Sequence, residues 1–96
     1  MPAYWISHIT VTDPEAFQRY AQLAGPAIAA HGGRFLARNG AYVQLEGQDR
    51  PRNVVVEFPD LATAQACYDS ADYQAALAHA RPASVREHVL VEGLPA

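Results

Sequence analysis

Several features that decide a protein's class are scarce in this sequence. One cysteine stands among 96 residues, so no disulfide can form within the chain, and a reducing, cytoplasmic environment is expected. No apolar run approaches the roughly 20 residues that cross a bilayer, and the first residues lack the basic and apolar segments of an export signal. We therefore expect a cytoplasmic protein with no membrane partner.

Positive charge is scarce as well. Seven basic residues stand against ten acidic ones, which gives a formal net charge of −3. Proteins that bind nucleic acid rely on a basic surface to neutralise phosphates, and that electrostatic contribution dominates their affinity. The composition therefore argues against DNA or RNA as a partner.

The sequence also lacks the spacings that are typical of metal and nucleotide sites. Its four histidines show no close paired spacing, and the single thiol, Cys67, stands apart from them. A haem would need an axial ligand, for which His79 and His88 are the candidates, yet neither differs in context from a surface histidine. The pair Gly32-Gly33 precedes a strand rather than a helix, unlike a phosphate-binding loop. No cofactor and no metal are therefore expected.

Apolar residues make up 50% of the chain, which is enough to bury a core in a single domain over residues 1–96. Alternating β-branched and aromatic residues predict strands, and helical spacing of apolar residues predicts helices. The predicted elements are a strand at Ala3–Thr12, a helix at Pro14–Ala30 that Pro26 kinks or interrupts, strands at Arg34–Arg38, Ala41–Glu46 and Val54–Phe58, helices at Leu61–Tyr68 and Ser70–His79, and a strand at Val85–Glu92.

The order of these elements limits the fold. Asn39-Gly40 suits the two positive-φ positions of a type I′ turn, so the second and third strands are expected to form a hairpin. Right-handed crossovers and unknotted connections then favour an α+β, ferredoxin-like βαββαβ sandwich, in which helices cover one face of an antiparallel sheet. The other face of the first strand also carries large apolar side chains, Tyr4 and Ile6. A partner is expected to cover that face.

Several short stretches of the sequence are characteristic when they are taken together. They are Asp13-Pro14-Glu15, Gly32 to Arg38, Glu46-Gly47, Val55 to Pro59 and Tyr68 to Gln74. Together they resemble the domain of unknown function 1330 family. The resemblance spans nearly the whole chain, although Cys67 and Ala71 replace the aromatic residue and the proline that the family usually has around its helix restart.

The resemblance implies a dimeric α/β barrel, in which two ferredoxin-like protomers oppose their sheets and leave a cavity between sheet and helices. Relatives in that superfamily include cofactor-free monooxygenases, muconolactone isomerase-like enzymes and haem-handling enzymes. The family itself implies no particular activity, and a shared fold cannot choose among these functions.

Three groups of side chains are candidates for chemistry. With a strand order of four-one-three-two, His8, Glu57 and His88 are expected on one sheet face, as an acid–base cluster or as a polar patch at the dimer interface. Arg34 and Arg38 are expected on one side of the second strand. They would meet an anionic ligand there, unless Glu57 pairs with one of them.

The third group consists of Tyr20, Tyr68 and Tyr73, whose rings either line a cavity under the helices or only pack in the core. The sequence therefore predicts one pocket per protomer for a small organic ligand, with Tyr20, Arg38, Glu57 and Tyr68 lining it, His8 as a base and Tyr73 supporting the helix restart. The function expected is that of a cofactor-independent monooxygenase- or isomerase-like enzyme. The alternative is a non-catalytic module that binds a metabolite or a protein partner.

Overall fold

The computed structural model describes residues 1–95 and contains a four-stranded antiparallel sheet with helices on one face. Its strand order is β2-β3-β1-β4, which is the ferredoxin-like α+β arrangement that the sequence predicts. None of its helices is long and apolar enough to cross a membrane. The elements are β1 (Ala3–Val11), α1 (Pro14–Ala30), β2 (Arg34–Arg38), β3 (Arg52–Phe58), α2 (Leu61–Asp69), α3 (Ala71–Ala80), a 3-10 turn (Arg81–Ala83) and β4 (Ser84–Glu92).

The helices begin where short polar side chains can accept the first free N–H groups. The Asp13 carboxylate accepts from the Ala16 N–H at 3.3 Å, and the Asp60 carboxylate accepts from the Thr63 N–H at 2.7 Å. Ser70 has extended backbone angles and its hydroxyl caps α3, so the predicted break between two helical segments is confirmed.

Of the kink or interruption predicted at Gly25-Pro26, the interruption does not occur, because α1 continues to Ala30 as one helix, as far as the sequence predicts. Proline leaves the carbonyl four residues earlier without a donor, and that residue here is Gln22. Both Gln22 and Pro26 are exposed, so water can satisfy the freed carbonyl. The cost of the proline is therefore small enough for packing of the helix to outweigh it.

The predicted hairpin is also wrong. Asn39 has a positive φ of 54°, but Gly40 does not, and residues 41–46 form no strand. The Asn39 N–H instead donates to the Asn53 carbonyl at 2.9 Å, which carries the β2–β3 ladder one step further. The strand that pairs with β2 is therefore β3, and the chain between them crosses the surface as an exposed loop.

The core lies between the sheet and the helices. Ala3, Trp5, Ser7 and Ile9 point towards the helices and are buried, whereas the alternate residues of β1 point the other way. We call the helix-free side the outer sheet face. Its apolar residues are Tyr4, Ile6, Val55, Val85, Val89 and Val91.

A β-bulge interrupts the alternation of β2. Phe35 pairs with Val56 and Ala37 pairs with Val55, so Leu36 is the extra residue between them. The bulge turns the end of β2 over. As a result Arg34, opposite Glu57, lies on the outer sheet face, whereas Arg38, opposite Val54, lies on the helix face.

Gly33, where the chain leaves α1 for β2, should not tolerate a side chain. A Cβ there would lie 2.5 Å from Ile28 Cγ2 and 2.9 Å from Phe58 Cζ. We expect Gly33→Ala to lower the free energy of unfolding by about 2 kcal/mol, because the buried neighbours must shift. Gly40→Ala is the control, since nothing lies within 4 Å of its Cβ position. Equal urea midpoints for the two variants would contradict this packing.

Candidate functional site

A groove runs between β4 and the helices, and we call it the β4 groove. Its volume is about 470 Å³, which is in the range of small-molecule sites. A second cavity of about 180 Å³ shares two of its lining residues, Tyr68 and His88. The β4 groove is lined by Tyr68, Leu77, Arg81, Ser84, Arg86 and His88.

Arg86 projects from β4 beneath the helices and is held by two phenols. Its Nη2 donates to the Tyr73 hydroxyl at 2.9 Å and lies 3.4 Å from the Tyr20 hydroxyl. The two hydroxyl oxygens are 2.8 Å apart, and the guanidinium carbon lies 4.8 Å from the centre of the Tyr20 ring. Burial raises the pKa of Tyr73, so its phenol is neutral at physiological pH and supplies no counter-charge.

The other face of the Arg86 guanidinium has no such partner. Its Nη1 is buried and makes no hydrogen bond to any atom of residues 1–95. The ion pairs among those residues join Arg34 to Glu57 and Arg50 to Glu87, and neither includes Arg86. The half-buried Arg86 cation therefore has one buried N–H donor without an acceptor beside the groove. This is energetically unfavourable unless another group accepts from it.

His88 stands next to Arg86 on the same side of β4. Its ring packs against Trp5, with centroids 4.3 Å apart, and against Tyr68 at 5.6 Å. Burial, followed by the nearby Arg86 charge, lowers the pKa of His88 to about 4, so the imidazole is neutral at pH 7. Its Nε2 is buried with no partner within the described chain. A neutral imidazole of this kind can accept a proton or a hydrogen bond from a ligand.

The charged side chains that line the groove are therefore all positive. Arg81 and Arg86 line it, and no acidic residue does. The Tyr68 and His88 rings form one wall, and two buried polar atoms of the lining residues, Arg86 Nη1 and His88 Nε2, have no partner within residues 1–95. This combination suits an anion with a planar apolar body.

The three tyrosines predicted as a group do come together. Tyr68 and Tyr73 have ring centroids 5.5 Å apart, and Tyr20 lies 6.0 Å from Tyr73. Only Tyr68 lines the β4 groove itself, while the other two support Arg86 from behind. Tyr73 also follows the Ser70 cap, whose hydroxyl accepts from the Tyr73 N–H.

The predicted cluster of His8, Glu57 and His88 does not form. The register pairs Ser7, not His8, with His88, and it pairs Tyr4 with Glu57. His88 therefore faces the helices, whereas His8 and Glu57 lie on the outer sheet face. A shift of one residue in the register is enough to separate such a set, because side chains alternate between faces.

On the outer sheet face each of these two side chains has a partner of its own. His8 Nδ1 lies 2.6 Å from the Asn53 side-chain oxygen, and Glu57 accepts from Arg34 at 2.8 Å. The alternative in which Glu57 pairs with an arginine is thus the one observed. Neither residue lines the β4 groove.

The predicted pairing of Arg34 with Arg38 on one side of β2 is wrong because of the bulge at Leu36. Arg38 instead reaches the helix face, where it lies beside Tyr20 in a separate cavity. Arg86 was missed by the sequence analysis altogether. Its signal is the alternation of β4, which places Arg86 and His88 in register with the buried residues Ile9 and Ser7.

A family model for the domain of unknown function DUF1330 matches residues 2–94. The chain belongs to this family. The resemblance seen in the sequence is therefore confirmed. A search of functionally curated proteins found no match to this chain.

Solved structures of the same fold include proteins with and without a described activity. A similar fold occurs in a protein of unknown function from Rhodopseudomonas palustris, with 18% identity, 99% and 84% coverage of the two chains and a TM-score of 0.78. A dimeric ferredoxin-like protein of unknown function from Thermobifida fusca has 22% identity, 97% and 92% coverage and a TM-score of 0.66. SnoaB, a cofactor-independent oxygenase from Streptomyces nogalater, has 16% identity, 99% and 95% coverage and a TM-score of 0.66. At these identities the likeness establishes the fold.

This DUF1330 chain offers no cluster for metal chemistry in residues 1–95, where no three His, Cys, Asp or Glu side chains lie close enough to hold an ion. Its thiol is also unsuited to nucleophilic chemistry. Cys67 is buried, and burial raises its pKa to about 11, so little thiolate is present at neutral pH. The groups available for chemistry near the β4 groove are accordingly the arginines, His88 and the tyrosines.

The low pKa of His88 makes stability depend on pH. The unfolded chain takes up this proton below pH 6.5, whereas the folded protein takes it up only near pH 4. Stability is therefore lost as the pH falls through this window, by roughly 2–3 kcal/mol from this group. We expect His88→Gln to flatten urea-unfolding midpoints between pH 7 and pH 4, with His79→Gln as the control for loss of a histidine. A variant as pH-sensitive as the wild type would contradict the assignment.

Proposed function

We propose that each protomer binds a small organic anion in the β4 groove and acts on it without a cofactor, by proton transfer at His88. The observation that carries this proposal is the pair of buried, unpartnered atoms, Arg86 Nη1 and His88 Nε2. We further propose that the protein works in the cytoplasm, where a single buried thiol needs no oxidising partner.

Charge is the first argument for the ligand class. A half-buried guanidinium without a carboxylate partner is stabilised when an anion supplies the missing charge. A carboxylate or an enolate can accept from Arg86 Nη1 and from Arg81 at the open side of the groove. The Tyr68 ring, which lines the groove and packs against His88, favours a planar, aromatic body for the rest of the ligand.

Proton transfer is the chemistry that these groups support. A neutral His88 can take a proton from a carbon next to a carbonyl, and the charge that develops on the carbonyl oxygen is stabilised by Arg86. Returning the proton at another carbon completes an isomerisation without a cofactor. SnoaB, whose fold is similar, is described as a cofactor-independent oxygenase, so this fold is compatible with chemistry that needs none.

A non-catalytic binding role is the second candidate, and one observation favours it. A pKa of about 4 makes His88 a weak base in the unliganded protein. In that case Arg86 would hold the ligand and His88 would only accept a hydrogen bond from it. The two candidates share the binding site and differ in whether a proton moves.

Phenylpyruvate separates these candidates, because it combines an aromatic ring, a carboxylate and an acidic CH₂ group. We expect the protein to accelerate exchange of its CH₂ protons in D₂O, followed by NMR. Arg86→Met should abolish binding measured by calorimetry, whereas His88→Gln should bind but lose the exchange. Arg19→Met, on the exposed side of α1, is the control. Binding without exchange in the wild type supports the non-catalytic role, and full binding by Arg86→Met overturns both.

We propose that two copies associate through the outer sheet face. Ile6 lies at its centre, flanked in register by Val55 and Val89, and Val89 is 55% exposed. An apolar surface of this kind is costly to leave in water and is typical of an interface. The ferredoxin-like protein from Thermobifida fusca is described as dimeric, which supports the same assembly here.

Substituting the centre of this face tests the dimer. We expect Ile6→Lys and Val89→Lys to sediment as monomers at concentrations at which the wild type is a dimer, because a lysine would be buried without a partner. Leu23→Lys is the matched control, since Leu23 is 45% exposed but lies on α1. A monomeric wild type, or dimeric Ile6→Lys and Val89→Lys variants, would rule out this interface.

A further inference from the structure

The separate cavity beside Arg38 and Tyr20 lies between α1 and strands β1, β2 and β3. It has a volume of about 20 Å³, which is room for about one water molecule. Most of its walls are apolar side chains from Trp5, Ile28 and Val54 and their neighbours. Its polar lining consists of Ser7, Tyr20, Arg38 and Arg52, and we call this region the Arg38–Arg52 cleft.

The two arginines of the cleft are held by rings and not by carboxylates. The Arg38 guanidinium lies 4.4 Å from the centre of the Phe35 ring, and that of Arg52 lies 5.0 Å from the centre of the Phe17 ring. Cation–π contacts fix the position of a guanidinium while its N–H groups stay free. Neither side chain donates a hydrogen bond to any atom of residues 1–95, so these donors are available to a ligand.

Two other arginines each have a carboxylate partner. Arg34 of β2 pairs with Glu57, and Arg50, in the loop before β3, pairs with Glu87. No acidic residue lines the Arg38–Arg52 cleft, and Arg52 is partly buried there. Burial, followed by the charge of Arg38, lowers the pKa of Arg52. An anion that binds between the two guanidinium groups would offset this cost.

Two features of the sheet, a β-bulge and the strand register, bring these two cations to the same face. The bulge at Leu36 turns Arg38 onto the helix face, where Arg52 also projects as the partner of Ile9 in the register. Arg38 also approaches Gly25 of α1, where a Cβ would be in ordinary contact with Arg38 Nη2, at 3.5 Å. Without the bulge, Arg38 would lie on the outer sheet face and the cleft would hold one arginine.

We propose that Arg38 and Arg52 form a second anion site, which binds the phosphate group of a small metabolite or free phosphate. Two planar guanidinium forks match the several acceptor oxygens and the double negative charge of a phosphate. A phosphate is larger than the cavity between α1 and the sheet, so it would bind at the open side of the cleft, where Arg38 is exposed. Tyr20 lines this cleft and also bonds Tyr73 beside Arg86, so it lies between the two sites.

Inorganic phosphate is the first probe, titrated into the purified protein at constant ionic strength with chloride as the replacement. We expect the thermal midpoint to rise with phosphate and calorimetry to detect binding. Arg38→Met and Arg52→Met should each raise the phosphate Kd about tenfold or more, the range for loss of a charged hydrogen bond. Arg34→Met is the control, because it removes an arginine that already has a carboxylate partner.

Three outcomes would overturn this second site. They are no phosphate effect beyond that of chloride, equal loss of binding in Arg34→Met, and full binding by Arg38→Met. If Arg52→Met fails to fold by circular dichroism, Arg38→Met decides the matter, because Arg38 is exposed. Arg86→Met should keep phosphate binding, so failure here is distinguishable from failure of the β4 groove. Glucose 6-phosphate, compared with glucose, then tests whether the phosphate of a larger metabolite is accepted.

Discussion

The hydrogen bonds between Arg86 and the Tyr20–Tyr73 pair are the interaction on which the functional side of this structure depends. They hold a guanidinium under the helices at the position where strand alternation alone would call for an apolar residue. Phenols can orient such a cation without neutralising it, because burial keeps the Tyr73 phenol protonated. A carboxylate in the place of Tyr73 would neutralise Arg86, and an anionic ligand would then gain no such charge pairing.

The sequence predicted the architecture well because its local signals agree with one another. The caps at Asp13, Asp60 and Ser70 act within one turn of the chain, and alternation identifies β1, β3 and β4. The expected helix interruption at Pro26 and the expected hairpin after Arg38 did not occur, because both depend on the surroundings of these residues. Pro26 is exposed to water, and Arg38 pairs with β3 in place of the expected hairpin strand. Tertiary context overrides local preference at such points.

The site was predicted less well, because the face on which its strand residues lie depends on the pairing register between strands and cannot be read from spacing along the sequence. Tyr20, Tyr68 and Tyr73 were found since helical spacing places them beneath α1, α2 and α3. His8 and His88 could be assigned to the same face only by guessing which residues pair, and a guess that is off by one reverses the outcome. The bulge at Leu36 has no strong sequence signal, so the separation of Arg34 from Arg38 required the structure.

The properties of His88 and Arg86 are coupled, and this coupling bears on the choice between binding and catalysis. Burial, and after it the charge of Arg86, lowers the pKa of His88, so an anion that neutralises Arg86 would remove the second of these causes and raise that pKa. The bound ligand would thereby strengthen the base that acts on it, since a general base is most effective when its pKa is near the working pH. A weak base in the empty protein is thus compatible with a competent one in the complex. The proposed enzymatic role would then depend on the same charge that makes the empty groove unfavourable.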